Sequence, residues 1–92
     1  MGEEIARRAD ADPREGARKY GDVLFADPVN HKYPIDSWGH VRAAWKYIHE
    51  ERNAAKYSVD DLNTMKERIR QAAEQYKVRL LPDGELDPPW DI

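Results

Sequence analysis

The sequence predicts a mainly α fold with two principal helices and a short extended arm or hairpin. An α+β fold is the alternative if the extended segments pair. In two stretches, residues 41–48 and 62–76, apolar side chains recur at helical spacing. Between residues 25 and 58 the chain also holds three of its five Tyr and two of its three Trp. Aromatic residues this dense, separated by turn-forming residues, indicate a folded core rather than a linker.

Length and composition indicate one small protein domain. The chain has 92 residues and a formal net charge of −3, with no cysteine. The lack of cysteine excludes disulfides and thiolate metal sites, and it is compatible with the cytoplasmic location that we expect. No segment approaches the roughly 20 apolar residues of a membrane span, and no secretion signal is recognisable. We therefore expect no membrane partner.

Residues 1–19 are predicted to form a flexible N-terminal arm. A short helix-compatible piece is followed by the sequence ADADPREG, which is rich in helix-breaking and charged residues. Isolated helices of this length are marginal in water. The compact domain is therefore expected to span residues 20–79.

Two short apolar runs open this domain. Residues 23–25 and 32–35 flank Asp27-Pro28, and Pro and Asn in the connection favour a turn. A small hairpin or a pair of extended segments follows from this pattern. Since Pro34 lacks a backbone donor, any sheet should be minimal.

The first principal helix is predicted to begin after Ser37, which can accept a backbone N–H bond as a cap. The helix should fade near residues 51–53. Its apolar stripe consists of Val41, Ala44, Trp45 and Ile48.

The second principal helix is predicted to begin after Ser58, with Asp61 three residues later in a capping-box-like arrangement. A short connection favours an antiparallel or steeply crossed helix pair. The apolar stripe of this helix consists of Leu62, Met65, Ile69, Ala72, Ala73 and Tyr76.

Residues 80–92 are predicted to form an acidic extended tail. This segment carries four acids without a base, and its prolines and Asp-Gly pair end any helix. Its single Trp90 has two alternative roles. It either anchors in a pocket of a partner protein or folds back on its own domain.

The three histidines do not predict a metal site. His40 and His49 are nine residues apart on one helix, which places them on opposite sides at about 100° per residue. His31 can approach only one of them, and zinc requires three or four converging ligands. We expect His40 to bond a carboxylate such as Asp36 instead. No cofactor motif is present.

The sequence does not predict an enzyme either. Asp36 with His40, or Asp27 with His31, resembles an acid–base pair, but a hydrolase also needs a nucleophile, an oxyanion site and a cavity. The serines serve better as helix caps, and no glycine-rich phosphate loop exists.

We therefore expect a non-enzymatic protein-interaction or accessory structural module. The partner is expected to be another protein, bound through exposed basic and aromatic residues of the first helix together with the tail: Trp38, Arg42, Lys46, Tyr47 and Trp90. The alternative is a nucleic-acid-binding module that uses Arg and Lys on both helices. Acids interleave with those bases, which is more typical of a solvated helix face.

The central block resembles a small family of unknown function found in bacteriophages and in phage-derived regions of bacterial chromosomes. The resemblance covers about residues 20–78. It implies a compact, mostly helical accessory module of phage origin, and it implies no activity. The sequence departs from the family at Trp38-Gly39, where a proline and an acid are typical, and in its acidic tail. The matching residues are the segments YGDV, FADP, KYPID, HVRAAW with YI, NAAKYS and IRQAA.

These family residues are expected to form a packing kernel. We expect His40, Trp45 and Tyr47 of the first helix to be clasped by Phe25 and Tyr33 from the extended arm. Aromatic clusters of this kind carry much of a small core.

Overall fold

In the computed structural model, which describes residues 5–87, two long helices pack against each other and against a small hairpin. Four helices and two separate two-stranded antiparallel sheets occur in this part of the chain, so the fold is α+β. The expectation of a mainly α fold is therefore confirmed only for the helical framework. In chain order the elements are α1 (Pro13–Tyr20), β1 (Phe25–Asp27), β2 (Lys32–Pro34), α2 (Trp38–Ile48), α3 (Glu51–Ala54), α4 (Val59–Tyr76), β3 (Arg79–Leu80), a 3₁₀ turn (Pro82–Gly84) and β4 (Leu86–Asp87).

The two principal helices are α2 and α4, and both begin at the predicted caps. The hydroxyl of Ser37 accepts a bond from the backbone N–H of His40 at 3.1 Å, and that of Ser58 accepts from Asp61 N–H at 3.1 Å. The predicted stripe of α2 is buried. In α4 four members of the predicted stripe are buried, and Leu62 and Tyr76 are half-buried. Helical periodicity therefore predicted both helices and the faces that they bury.

The predicted hairpin is formed by β1 and β2. Phe25 pairs with Pro34 and Asp27 pairs with Lys32 in an antiparallel register. The side chain of Asp27 accepts bonds from the backbone N–H groups of Val29 and Asn30 at 3.1 and 3.0 Å. This Asx turn reverses the chain, because a short carboxylate can satisfy the donors that the turn exposes.

The aromatic kernel is arranged differently from the prediction. Tyr47 is 41% exposed and His40 is half-buried, so neither belongs to the buried core. Trp45 is buried, and its indole N–H donates to the carbonyl of Leu81 at 2.8 Å. Its ring lies edge-on to His49, with centroids 4.5 Å apart. The core itself is mainly aliphatic, because α2 and α4 face each other with Val, Ile, Met and Ala.

The N-terminal segment differs from the predicted flexible arm. Ile5 is only 3% exposed and belongs to the core, and residues 13–20 form α1. The carboxylate of Asp12 caps this helix by accepting from Arg14 N–H at 3.0 Å, and Pro13 occupies its first turn. Both are start signals of a helix. Asp and Pro disfavour the interior of a helix, but at its first positions they favour its start.

The C-terminal segment is not wholly an extended tail. Residues 79–80 pair with residues 86–87, and Leu86 is buried against the core. A 3₁₀ turn with Asp83 and Gly84 at positive φ closes this second hairpin. This hairpin packs against the end of α2. Gly84 lies so close to His49 that a Cβ at position 84 would come within 2.5 Å of the His49 Cβ.

Candidate functional site

An open groove with a volume of about 540 Å³ lies between α1, β2 and α2. We call it the basic groove. Within residues 5–87 its lining contains three bases and one acid, Arg18, Lys19 and Lys32 against Glu15. The remaining side chains that give it chemical character are three tyrosines and two histidines, namely Tyr20, Tyr33, Tyr47, His31 and His40.

Helix α1 forms one wall of the basic groove. It has no buried residue, and at Gly16 it lies close to His31, the residue directly before β2. A Cβ at Gly16 would lie 2.3 Å from the carbonyl oxygen of His31, so only glycine allows this approach. The ammonium of Lys19 lies 5.3 Å from the centroid of the Tyr20 ring, within the range of a cation–π contact.

His31 has a structural role at the base of this wall. Its Nδ1 donates to the carbonyl of Pro13 at 2.6 Å, because a carbonyl only accepts. Its ring stacks on Phe25 with centroids 5.1 Å apart and planes 23° apart. These contacts join α1 to the first hairpin.

His40 offers a polar atom to the basic groove. Its Nδ1 lies 2.6 Å from a carboxylate oxygen of Asp36, which confirms the predicted pair. Since the carboxylate accepts, Nδ1 carries a proton and Nε2 is the second functional nitrogen. Among residues 5–87 no side chain bonds that nitrogen, and the ring lies edge-on to Tyr20 at 5.7 Å. The neutral imidazole therefore presents an acceptor, and the imidazolium a donor.

The groove combines positive charge with aromatic surface. Three long cationic side chains surround tyrosine rings that can contact apolar or aromatic groups. Within residues 5–87 no serine, threonine or cysteine lines it, so the hydroxyls that it offers are those of Tyr20, Tyr33 and Tyr47.

The predicted partner surface on the first helix is not a single surface. Arg42 is fully buried, with its guanidinium carbon 4.5 Å above the centroid of the Trp38 ring. The exposure that the charge pattern predicted for Arg42 is therefore not found, because periodicity does not show what covers a helix face. Its role as a partner contact stays a prediction.

The other predicted contact residues lie on different faces. Tyr47 is exposed in the basic groove, whereas Lys46 is exposed in a second recess beside His49 and Glu50. Trp38 is 37% exposed and stacks on Arg42. Trp90 lies outside the described residues.

A second recess lies between the end of α2 and the second hairpin. It is acidic, with Glu50, Asp83, Glu85 and Asp87 among its lining residues and Lys46 as its one cation. Arg79 pairs with Asp87 at 3.5 Å. This recess shares no lining residue with the basic groove.

Within residues 5–87 no group of three or more His, Cys, Asp or Glu side chains is placed to hold a metal ion. None of the helices in this part of the chain combines the length and apolar character that crossing a bilayer requires.

Sequence reasoning missed a buried polar network that fixes the N-terminal segment. Asp27 and Asn30 are fully buried, and the Tyr57 hydroxyl donates to Asp27 at 2.6 Å. The amide oxygen of Asn30 accepts from the backbone N–H of Arg8 at 2.7 Å, and its amide nitrogen donates to the carbonyl of Ala6 at 3.0 Å. The sequence indicates the turn DPVN, but it does not indicate that this turn binds the backbone of residues 6–8.

Charges around this network are paired. The side chain of Arg8 donates to Asp10 at 2.7 Å and to the Tyr57 hydroxyl at 3.0 Å. The hydrogen bond from Arg8 holds the pKa of Asp10 well below its usual value. Burial, followed by the hydrogen bond to Asp27, raises the pKa of Tyr57. These contacts therefore favour the ionised carboxylate of Asp10 and the protonated phenol of Tyr57.

No curated protein and no solved structure matches this chain. The model of one family, DUF6582, described as a family of unknown function, matches residues 1–83. The match includes all three walls of the basic groove and the segment that the buried network fixes. Residues 84–92 lie beyond it. Since the match covers most of the chain, the protein belongs to the DUF6582 family of unknown function.

Proposed function

We propose that this domain is a non-enzymatic protein-docking module whose basic groove binds an acidic segment of a partner protein. The observation that carries the proposal is local charge. Among the described residues, three cations and one carboxylate line the groove, although the whole chain has a formal net charge of −3. A cluster of one sign on a chain of the opposite sign favours a ligand of complementary charge.

The dimensions and the aromatic lining support a peptide ligand. The volume of about 540 Å³ is within the range of about 300–1,000 Å³ typical of ligand sites. Tyrosine is enriched at binding hot spots because a rigid ring gives a large contact area and a polar tip. Here the exposed ring of Tyr47 and the half-buried rings of Tyr20 and Tyr33 offer such contacts beside the cations.

The bases outside the groove give less support to nucleic-acid binding. The guanidinium of Arg68 donates to the carbonyl of Phe25 at 2.7 Å, and Lys56 pairs with Asp10 at 3.4 Å. Arg70 pairs with Glu67 at 3.6 Å on α4. Cations that are paired or bonded within the domain do not form the continuous positive stripe that phosphate binding requires.

The resemblance of residues 20–78 to a family found in bacteriophages supports a finer proposal about the partner. We propose that it is a larger component of a phage-type assembly, for which this domain is an accessory. A cysteine-free chain fits a cytoplasmic location for that assembly.

The proposal is tested by amide chemical-shift titration of the full chain with three probes. These are an acidic hexapeptide with one aromatic residue, a basic hexapeptide with the same aromatic residue, and a thymidine oligonucleotide. The acidic peptide is expected to shift amides of α1, β2 and the 40–47 segment selectively. Lys19→Glu should weaken its binding about tenfold, because the substitution replaces an attraction by a repulsion.

Arg52→Glu is the matched control, since Arg52 is exposed on α3 and does not line the groove. It should leave binding of the acidic peptide within about twofold. Salt-sensitive binding of the oligonucleotide, lost in Arg52→Glu, would instead support the nucleic-acid alternative. If no acidic peptide shifts the groove amides, the proposed function is wrong.

A further inference from the structure

The chain itself contains a segment with the chemistry that the basic groove selects. Residues 87–92 read Asp-Pro-Pro-Trp-Asp-Ile, and no base occurs in residues 80–92. Two acids flank a Pro-Pro pair and a tryptophan. Residues 88–92 lie outside the described part of the structure, and they enter the inference by their sequence.

Proline-containing segments and tyrosine-lined grooves are complementary in shape. Consecutive prolines favour the extended polyproline II conformation, which docks on aromatic grooves with little loss of conformational entropy. In the basic groove, Tyr20, Tyr33 and Tyr47 supply the aromatic lining. Tryptophan is a frequent anchor residue because it buries a large area.

Charge adds direction to this fit. Asp87, whose side chain is half exposed beside Arg79, and Asp91 lie on either side of the apolar Pro-Pro-Trp unit in the sequence. Arg18 and Lys19 extend from α1, and Lys32 lies across the groove on β2. Acids on both sides of an apolar centre therefore meet cations on both walls, which fixes the ligand more strongly than one charged patch does.

The structure favours a second copy over the same molecule as the donor of this segment. On α2, the basic groove uses His40, Ala43, Ala44 and Tyr47, whereas the recess that contains Asp87 uses Lys46, His49 and Glu50. These two faces are roughly a third of a turn apart around the helix at about 100° per residue. Asp87 therefore starts the segment from a different face of α2 than the one that the groove uses. The two prolines that follow Asp87 in the sequence favour an extended chain over a turn back to the groove of the same molecule.

We infer that the basic groove of one molecule binds residues 87–92 of a second copy of this chain. The exchange is reciprocal, so each copy offers one groove and one segment, and a closed twofold dimer results. This inference rests on the proposed function, because it names the acidic segment that the groove takes.

The first test uses a peptide of residues 84–92, GELDPPWDI, added to the full chain. It should shift amides of α1, β2 and the 40–47 segment. Replacing its three acids by amides, or Trp90 by Ala, should weaken binding about tenfold each. In the protein, Lys19→Glu should weaken binding about tenfold and Arg52→Glu less than twofold.

The second test distinguishes one molecule from two by sedimentation of the full chain. Trp90→Ala removes the anchor and keeps the groove, and Lys19→Glu weakens the groove and keeps the anchor. Each variant alone should be monomeric at a concentration where the parent chain dimerises. A mixture of the two should form a dimer, because one intact groove then meets one intact segment.

Two results would overturn the inference in different ways. If GELDPPWDI does not bind but the acidic hexapeptide does, the self-association is wrong and the proposed function stands. If the parent chain is monomeric and Trp90→Ala exposes its groove amides, the segment binds within one molecule, and the second copy is excluded. Failure of both peptides contradicts the proposed function as well.

Discussion

Asp27 is the residue on which the buried polar contacts of this fold converge. One of its oxygens accepts from the backbone of Val29 and Asn30, and the other accepts from the Asn30 amide at 2.9 Å and the Tyr57 hydroxyl at 2.6 Å. A fully buried carboxylate is costly unless its lone pairs are filled, and these four donors fill them. The same carboxylate therefore closes the first hairpin and holds the segment before α4.

Tyr57 gives this network a measurable pH dependence. Burial and the bond to Asp27 raise the pKa of Tyr57 above its ordinary value of 10.0. The folded state then holds the phenolic proton more tightly than the unfolded chain does. Its contribution to stability is complete below about pH 10 and is lost as pH rises toward the folded pKa. We expect the melting temperature of the parent chain to fall more steeply above pH 10 than that of Tyr57→Phe.

Thermal denaturation followed by circular dichroism from pH 8 to pH 11 measures this difference. The melting temperature of Tyr57→Phe should still fall with pH, though less steeply than that of the parent chain, because burial also raises the pKa of Tyr33. Equal slopes for the two proteins would show that the Tyr57 phenol titrates alike in the folded and unfolded states. The burial and hydrogen bonding of Tyr57 would then have no energetic consequence at high pH.

The long helix α4 ends on a residue with an unfavourable backbone conformation. Lys77 follows it with φ 60° and ψ 42°, and its N–H bonds to the carbonyl of Ala73. This left-handed cap normally carries glycine, because a Cβ costs about 1–2 kcal/mol there. Lys77→Gly should therefore raise the free energy of unfolding by about 1 kcal/mol, measured by chemical denaturation.

Lys66→Gly is the control for this substitution, since Lys66 lies within α4 and has helical geometry. It should lower stability by about 1 kcal/mol. Replacing lysine by glycine should thus raise the free energy of unfolding at the cap and lower it within the helix. Destabilisation by both variants would contradict the account of the cap.

Gly16 sets the distance between α1 and the first hairpin, and so the width of the basic groove. Gly16→Ala would place a Cβ 2.3 Å from a backbone oxygen, which cannot move aside as a flexible side chain can. We expect a loss of about 1–3 kcal/mol in stability. The variant should also show shifted amides in α1 and β2.

Gly39→Ala is the matched control, because nothing lies within 4 Å of a Cβ at this position in α2. Alanine has the higher helix propensity, so this variant should gain about 0.5–1 kcal/mol. Chemical denaturation of both variants measures the contrast. If Gly16→Ala is as stable as the parent chain, α1 is not seated where the structure places it.

Elements whose pattern is local were predictable from the sequence. The caps Ser37 and Ser58 and the apolar stripes of α2 and α4 depend on neighbours three or four residues away. Helix α1 and the second hairpin depend on contacts that sequence spacing does not reveal. Gly16 meets His31, and Gly84 meets His49 across 35 residues of chain. Such close approaches are visible only once the elements are assembled.

The candidate site was less predictable than the helices for the same reason. The basic groove joins α1, β2 and α2, so its cations come from segments that are separated in sequence. Among the described residues, Tyr47 alone is both a predicted contact residue and part of this lining. Arg42 is the opposite case, because its place in a charged helix pattern predicts exposure, whereas the structure buries it over Trp38. Periodicity assigns a residue to a helix face, but it does not say whether another element covers that face.

The N-terminal segment is bonded to several parts of the fold. Ile5 reaches the core, Ala6 N–H donates to Asp61 on α4 at 3.1 Å, and Asn30 bonds the backbone of Arg8. A chain this small and polar, with a mean hydropathy of −0.96, has few apolar side chains to bury. The segment ahead of α1 therefore supplies part of the core rather than an accessory arm.

Ile5→Ala tests whether this segment is integral to the fold. The side chain is 3% exposed, so its truncation should lower the free energy of unfolding by about 2–4 kcal/mol. Leu24→Ala is the control, since Leu24 is 64% exposed and should change stability by less than about 0.5 kcal/mol.

Tryptophan fluorescence reports on the core around Trp45, and circular dichroism reports on the helices. Both should show one coincident transition at lower denaturant concentration in Ile5→Ala. If instead only amides 5–12 lose exchange protection while the global transition is unchanged, the segment is a separately opening strap, because local unfolding then occurs without loss of the core.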